Sequence, residues 1–152
     1  MRINTRLFGE IEVNEEKIIT FPGGIIGFPD MKKFTLIYDI EQGTNAGIRW
    51  MQSLDEPAFA LPVMDPHVVK ADYNPEVDDE LLKNIGGITP ENLLVLVTVT
   101  VPSDLTKMSA NLQGPIIINV DELKACQVIV DGDEFPIRYY IYDILKAGKD
   151  GE

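Results

Sequence analysis

The sequence predicts a mainly β protein: a mostly antiparallel barrel or sandwich of short strands with one or two short helices. Three observations carry this. Runs of five to nine residues rich in β-branched and aromatic side chains recur along the chain, bounded by Gly, Pro, Asn or Asp. Only one segment carries clear helix start and stop signals. The runs follow at close spacing, without the helices that a parallel sheet needs between its strands. The 152 residues favour a single β domain, 1–146, ending in a polar tail, 147–152. A chain of this size buries about 68–70% of the surface its unfolded form exposes, so it needs no metal or disulfide to fold.

The elements follow in order. "GEIEV" alternates, with Ile11 and Val13 on one face and Glu10 and Glu12 on the other. Asn14-Glu15-Glu16 then reads as a turn and "KIITF" as the returning strand of a hairpin. "FTLIYDI" (Phe34–Ile40), "IRWMQSL" (Ile48–Leu54) and "AFALPVM" (Ala58–Met64) are further strands, and Pro62 predicts an edge or a bulge in the third. "DDELLKNIGG" predicts a helix, with Asp78 as N-cap, Leu81, Leu82 and Ile85 on one side and Gly86 as the stop. "TPEN" resembles a second, very short helical start. "LLVLVTVTV" (Leu93–Val101) holds four valines and two threonines and is read as a long central strand. "PIIIN" and "ACQVIVD" are strands joined by a turn at "VDEL". "FPIRYYIYDILKAG" fits either a strand or a short closing helix.

Between the first strands lies "ITFPGGIIGFPD", with Gly23, Gly24 and Gly27 inside five residues. A phosphate loop feeds a helix N-terminus, and a Walker loop ends in Gly-Lys-Ser/Thr. This stretch has neither, and an extended segment follows. It is a corner between strands, in which Pro22 sets φ and the glycines permit positive φ or close backbone approach. Ile25 and Ile26 are expected to plug the end of the fold, flanked by Phe21 and Phe28.

The net charge is −12. Residues 1–33 balance five acids against five bases, so the remaining 20 acids and 8 bases carry all of it. Such a surface repels phosphate backbones, which disfavours direct nucleic-acid binding, and it attracts a basic partner. The single cysteine, Cys126, allows no intrachain disulfide and sits in an apolar run as a small hydrophobe. No run approaches the ~20 apolar residues of a membrane span. The first residues lack a signal core, so the cytoplasm is the expected location.

Chemistry is sparsely signalled. His67 is the only histidine, which excludes zinc sites of His and Cys and leaves no nucleophile–base motif. The acids of "EVDDE" and "DGDE" lack the spacing of a calcium loop. No catalytic residue, cofactor or metal is predicted. Trp50 has two readings, core residue or interface aromatic.

Four blocks then stand out in order: "GEIEVNEEKIITFPGGIIGFPD", "WMQSLDEPAFALPVMDP", "ENLLVLVTVTVP" and "MSANLQGPIIIN". With them the chain resembles the FliW family of flagellar assembly factors over nearly its whole length. The resemblance implies a small antiparallel β-barrel that is not an enzyme. It implies two protein partners, flagellin and the carbon storage regulator, a basic RNA-binding repressor of flagellin translation. Binding the regulator away from its RNA site would free the message; abundant flagellin would occupy the factor and restore repression.

Within the blocks, the polar and aromatic candidates for protein binding are Trp50, Gln52, Ser53, Met108, Ser109 and Asn111. Ser109 and Asn111 have a second reading, as partners of buried backbone groups. Residues 72–92 hold six acids and one base, Lys83. Asp72, Glu76, Asp78, Asp79 and Glu80 therefore form a candidate docking face for the basic regulator, or simply a solvated helix end. The alternative class is a small barrel enzyme or ligand carrier with carboxylates such as Asp65 at a mouth near Gly23–Gly27, which requires a deep polar pocket. An OB-type nucleic-acid barrel would lack its basic groove.

Overall fold

The structure, a computed structural model, describes residues 2–6, 8–38, 49–74, 79–87, 89, 91–130 and 135–144, with 79–81 and 105 as backbone only. Its strands are β1 (Arg2–Thr5), β2 (Gly9–Glu12), β3 (Ile19–Thr20), β4 (Lys33–Tyr38), β5 (Arg49–Ser53), β6 (Ala60–Met64), β7 (Leu93–Thr100), β8 (Ser109–Ala110), β9 (Ile116–Asn119), β10 (Lys124–Gln127) and β11 (Tyr139–Tyr140). β3 to β7 pair in the order 3-4-5-6-7; β7 also pairs with β9, β9 with β10, and β10 with β3. Seven strands thus close a barrel. Every pairing is antiparallel except β3–β10, where Lys124 lies opposite Thr20. β8 and β11 extend the wall beside the far end of β7.

β7 is the hub of the fold. Its alternation sends Leu96 into the barrel interior and Val97 and Val99 into a second core outside it. The interior is filled by Phe21, Phe34, Met51, Val63, Leu96, Ile116, Ile118 and Ala125. The Phe21 and Phe34 rings meet edge-on at 5.3 Å. The second core packs Tyr73, Ile85, Leu112, Phe135 and Ile141 against the outside of the wall.

Several expectations change. β2 pairs with β1, not with "KIITF". Thr5 closes that turn: its Oγ1 donates to the Gly9 carbonyl (2.9 Å) and accepts from the Phe8 amide (2.9 Å). Asn14 caps a 3₁₀ turn, Glu15–Lys17, that carries the chain on into the barrel. Pro62 lies in a wall strand opposite Trp50, but β6 pairs with β7 only at Val63 and Met64. The missing donor therefore falls where β7 leaves β6 for β8. Asp79–Ile85 is a 3₁₀ helix rather than an α-helix, stopped by Gly86 at φ 86° as expected. In "TPEN", Glu91 and Asn92 lie in a turn, and Asn92 Oδ1 accepts from the Thr89 amide at 2.7 Å; Pro90 lies outside the described residues. The final segment does both things in turn, with β11 followed by a helical turn at 142–144. The expected Asp78 cap and the tail 147–152 lie outside the described residues.

In the glycine corner, Ile25 and Phe28 face each other across a tight turn. Gly27, φ 88°, takes the third position, where positive φ favours glycine. At Gly24, φ 71°, a Cβ would stand 2.5 Å from the Pro29 carbonyl oxygen. Only half of the expected plug goes inward. Phe21 and Ile25 are buried, whereas Ile26 and Phe28 are exposed, and Phe28 leans on Phe59 at 5.2 Å. A two-residue turn tip cannot send both isoleucines to one side.

Candidate protein-binding surface

β5 carries the first three candidates. Met51 points into the barrel, so Trp50 and Gln52 lie on its outer face. Trp50 is half-buried and receives the Phe8 ring edge-on, with centroids 5.9 Å apart. Gln52 is buried under the turn at 54–59. Its Nε2 donates to the carbonyls of Ser53 (2.9 Å), Pro57 (3.0 Å) and Phe59 (3.1 Å), and its Oε1 is enclosed with no partner among the described residues. Ser53 is buried too, and its Oγ accepts from the Glu56 amide at 2.9 Å. The Pro57 carbonyl takes a second donor, the Arg6 amide, at 3.3 Å. "WMQS" thus builds one turn, with Trp50 and the β1–β2 hairpin beside it.

The second block sits at the other end of β7. Met108 is half-buried against the outer core. Ser109 is buried in β8 between Thr100 and Tyr140. Asn111 shapes the turn behind β8, its Oδ1 accepting from the amides of Gln113 (3.0 Å) and Gly114 (3.1 Å). Gln127, which the sequence did not single out, joins this turn to the glycine corner. Its Nε2 donates to the Gly114 carbonyl (3.0 Å) and its Oε1 accepts from the Ile26 amide (3.0 Å). One glutamine within an apolar run carries no signal of such a role.

Of the acids, Asp72 is exposed and pairs with Lys70 at 3.2 Å. Asp79 and Glu80 open the 3₁₀ helix, and Glu76 and Asp78 lie outside the described residues. Two buried asparagines fasten that helix to the barrel. Asn119 Nδ2 donates to the carbonyls of Ile85 (2.8 Å) and Gly87 (3.3 Å), while its Oδ1 accepts from the amides of Asp121 (3.0 Å) and Glu122 (3.1 Å). Asn92 Nδ2 reaches the same Gly87 carbonyl at 2.9 Å. The final Asn of "PIIIN" gave no sequence signal for this role.

The remaining chemical groups act locally. Asp65 caps the 3₁₀ turn Pro66–Val68. The His67 ring lies between Asp65 Oδ1 and the Tyr73 carbonyl, 2.9 Å from each. The buried Tyr73 hydroxyl donates to the Leu112 carbonyl at 2.6 Å, and burial pushes its pKa up to about 12. Burial likewise raises the half-buried Cys126 thiol above its ordinary value, as a packed small hydrophobe requires. Among the described residues no three His, Cys, Asp or Glu side chains gather in a metal-binding group. No described helix is long and apolar enough to cross a membrane.

Comparison with known proteins decides the family. The model of the FliW protein family matches residues 2–141. The chain belongs to the FliW family. It is 54% identical to the flagellar assembly factor FliW of Lachnospira eligens, over 96% of this chain and 97% of that one. It is 50% identical to the FliW of Lachnoclostridium phytofermentans, over 94% and 92%. The crystal structure of a flagellar assembly factor FliW superposes with a TM-score of 0.84 at 28% identity, over 93% of this chain and 96% of that one. The mainly β barrel is thus the fold of FliW.

Proposed function

We propose that this FliW-family chain is a cytoplasmic protein-binding regulator of flagellar assembly, and not an enzyme. It binds flagellin, and it binds the carbon storage regulator so as to relieve repression of flagellin translation. The observation that carries this reading is the family match across nearly the whole chain. The net charge of −12 supports a basic second partner, because complementary potentials steer association. A barrel packed with its own side chains supports binding on the outer surface rather than in a pocket.

On this reading Trp50, the exposed Asp72 and the acids Glu76, Asp78, Asp79 and Glu80 that follow it in sequence meet partners directly. Gln52, Ser53, Met108, Ser109 and Asn111 contribute by shaping the turns and strands that carry the surface. Purified protein should bind purified flagellin and purified regulator, each at fixed stoichiometry, and the regulator's association rate should fall as salt rises. Binding to neither at low salt sinks the reading. Reversal of Asp78, Asp79 and Glu80 to Lys should slow association with the regulator; an unchanged rate removes that patch.

A further inference from the structure

We propose that the β1–β2 hairpin is a strap that lifts as a unit from the barrel wall, and that its lifting uncovers Trp50. This deepens the reading of Trp50 as a binding residue and rests on it. Among the described residues the hairpin is a two-stranded sheet of its own, with no ladder to the nine other strands. Two short strands alone are marginal in water, so contacts across one face hold the hairpin in place. Arg2 opposes Glu12 and Asn4 opposes Glu10 on the outer face. There Arg2 Nε reaches Glu12 at 3.1 Å and its guanidinium reaches Glu10 at 3.3 Å, all three exposed. Ile3 opposite Ile11 forms the half-buried inner face.

Next to that face, Phe8 stands edge-on to Trp50, and the Arg6 amide reaches the Pro57 carbonyl at 3.3 Å, beyond the usual amide–carbonyl range. Lifting leaves the wall intact. Trp50 stays between its cross-strand neighbours Ile37 and Pro62. The Pro57 carbonyl keeps its bond from Gln52, so lifting does not leave that carbonyl unpaired. Val13, buried at 3% exposure directly after β2, marks where the chain stays anchored. What lifting uncovers is aromatic and aliphatic on both sides: Trp50 on the wall, and Phe8, Ile3 and Ile11 on the strap. An element whose described apolar contacts to the wall come from half-buried side chains, Ile3, Phe8 and Ile11, opens below the global unfolding free energy.

Native-state hydrogen exchange in low urea, without any partner, tests the strap. The ladder amides of β1 and β2 should exchange together, on the order of 100-fold faster than those of β7 and with a much weaker urea dependence. Exchange with the same urea dependence as β7 overturns the proposal. Phe8→Ala should raise acrylamide quenching of Trp50, the only tryptophan, while β7 protection holds; unchanged quenching also overturns it. Phe8→Ala should further speed association with purified flagellin or purified regulator, and an unchanged rate with both overturns the gating. Trp50→Ala that binds both partners normally sinks the reading of Trp50 instead, whatever the exchange experiment shows.

Discussion

Replacing Asn119 by Ala should loosen the acidic 3₁₀ segment from the barrel at a calculable cost. The side chain is 1% exposed and makes four hydrogen bonds. Ile85 is completely buried, so its carbonyl has no water to turn to; leaving it unpaired costs about 2 kcal/mol. Gly87, Asp121 and Glu122 are exposed and rehydrate, at about 0.5 kcal/mol each. The sum is roughly 3.5 kcal/mol, a fall in Tm of about 7–14 °C for a chain of this size. Asn119→Asp should be worse by about 1 kcal/mol or more, because it sets a carboxylate oxygen against the Ile85 carbonyl where an amide donated. Urea melts of the three proteins measure this, with m expected to stay constant. An Ala variant within about 0.5 kcal/mol of the parent, or an Asp variant more stable than the Ala variant, refutes the reasoning.

Three further outcomes follow from the geometry. Gly24→Ala should cost about 3 kcal/mol or more, since it adds a backbone collision to a positive φ, whereas Gly27→Ala in open space should cost only about 1–2 kcal/mol. Gly23→Ala, with neither problem, should stay within about 0.5 kcal/mol, and equal losses at all three sites would refute the assignment. Tyr73→Phe should cost about 1–2 kcal/mol through the lost bond to Leu112. Because the folded-state pKa of Tyr73 lies above its unfolded value, its contribution is complete below pH 10 and lost as pH rises toward about 12; the variant should lack that part of the alkaline decline in pH-dependent melts. Cys126 should react with a thiol reagent slowly when folded and readily in urea, and fast native labelling would contradict its burial.

Much of this fold was legible because its signals are local. The alternation of "GEIEV" put Glu10 and Glu12 outside and Val13 inside. The valines and threonines of Leu93–Thr100 made the strand that joins both cores. Gly86 ended its helix. What failed was partner choice. Nothing in "GEIEV" states whether it pairs backward with "RINT" or forward with "KIITF", since both have strand propensity and a turn at hand. The candidate surface shows the same division. The "WMQS" block was recognisable as a block, but the burial of Gln52 under the 54–59 turn depends on carbonyls five and seven residues away. The roles of Asn119 and Gln127 depend on groups 34 and 101 residues away.

By itself, then, the sequence determined the β class, the positions of most strands, the acidity, and the meaning of "FPGGIIGF" as a corner rather than a phosphate cradle. These follow from side-chain period, backbone freedom and charge, which are properties of neighbouring residues. Only the tertiary structure decided between barrel and sandwich, through β7–β9 and β3–β10 pairing. It alone placed Ile25 inside and Ile26 outside, and laid the β1–β2 hairpin beside Trp50. Closure, packing and shared hydrogen bonds join residues distant in the chain, and no local pattern encodes which distant partner will be met.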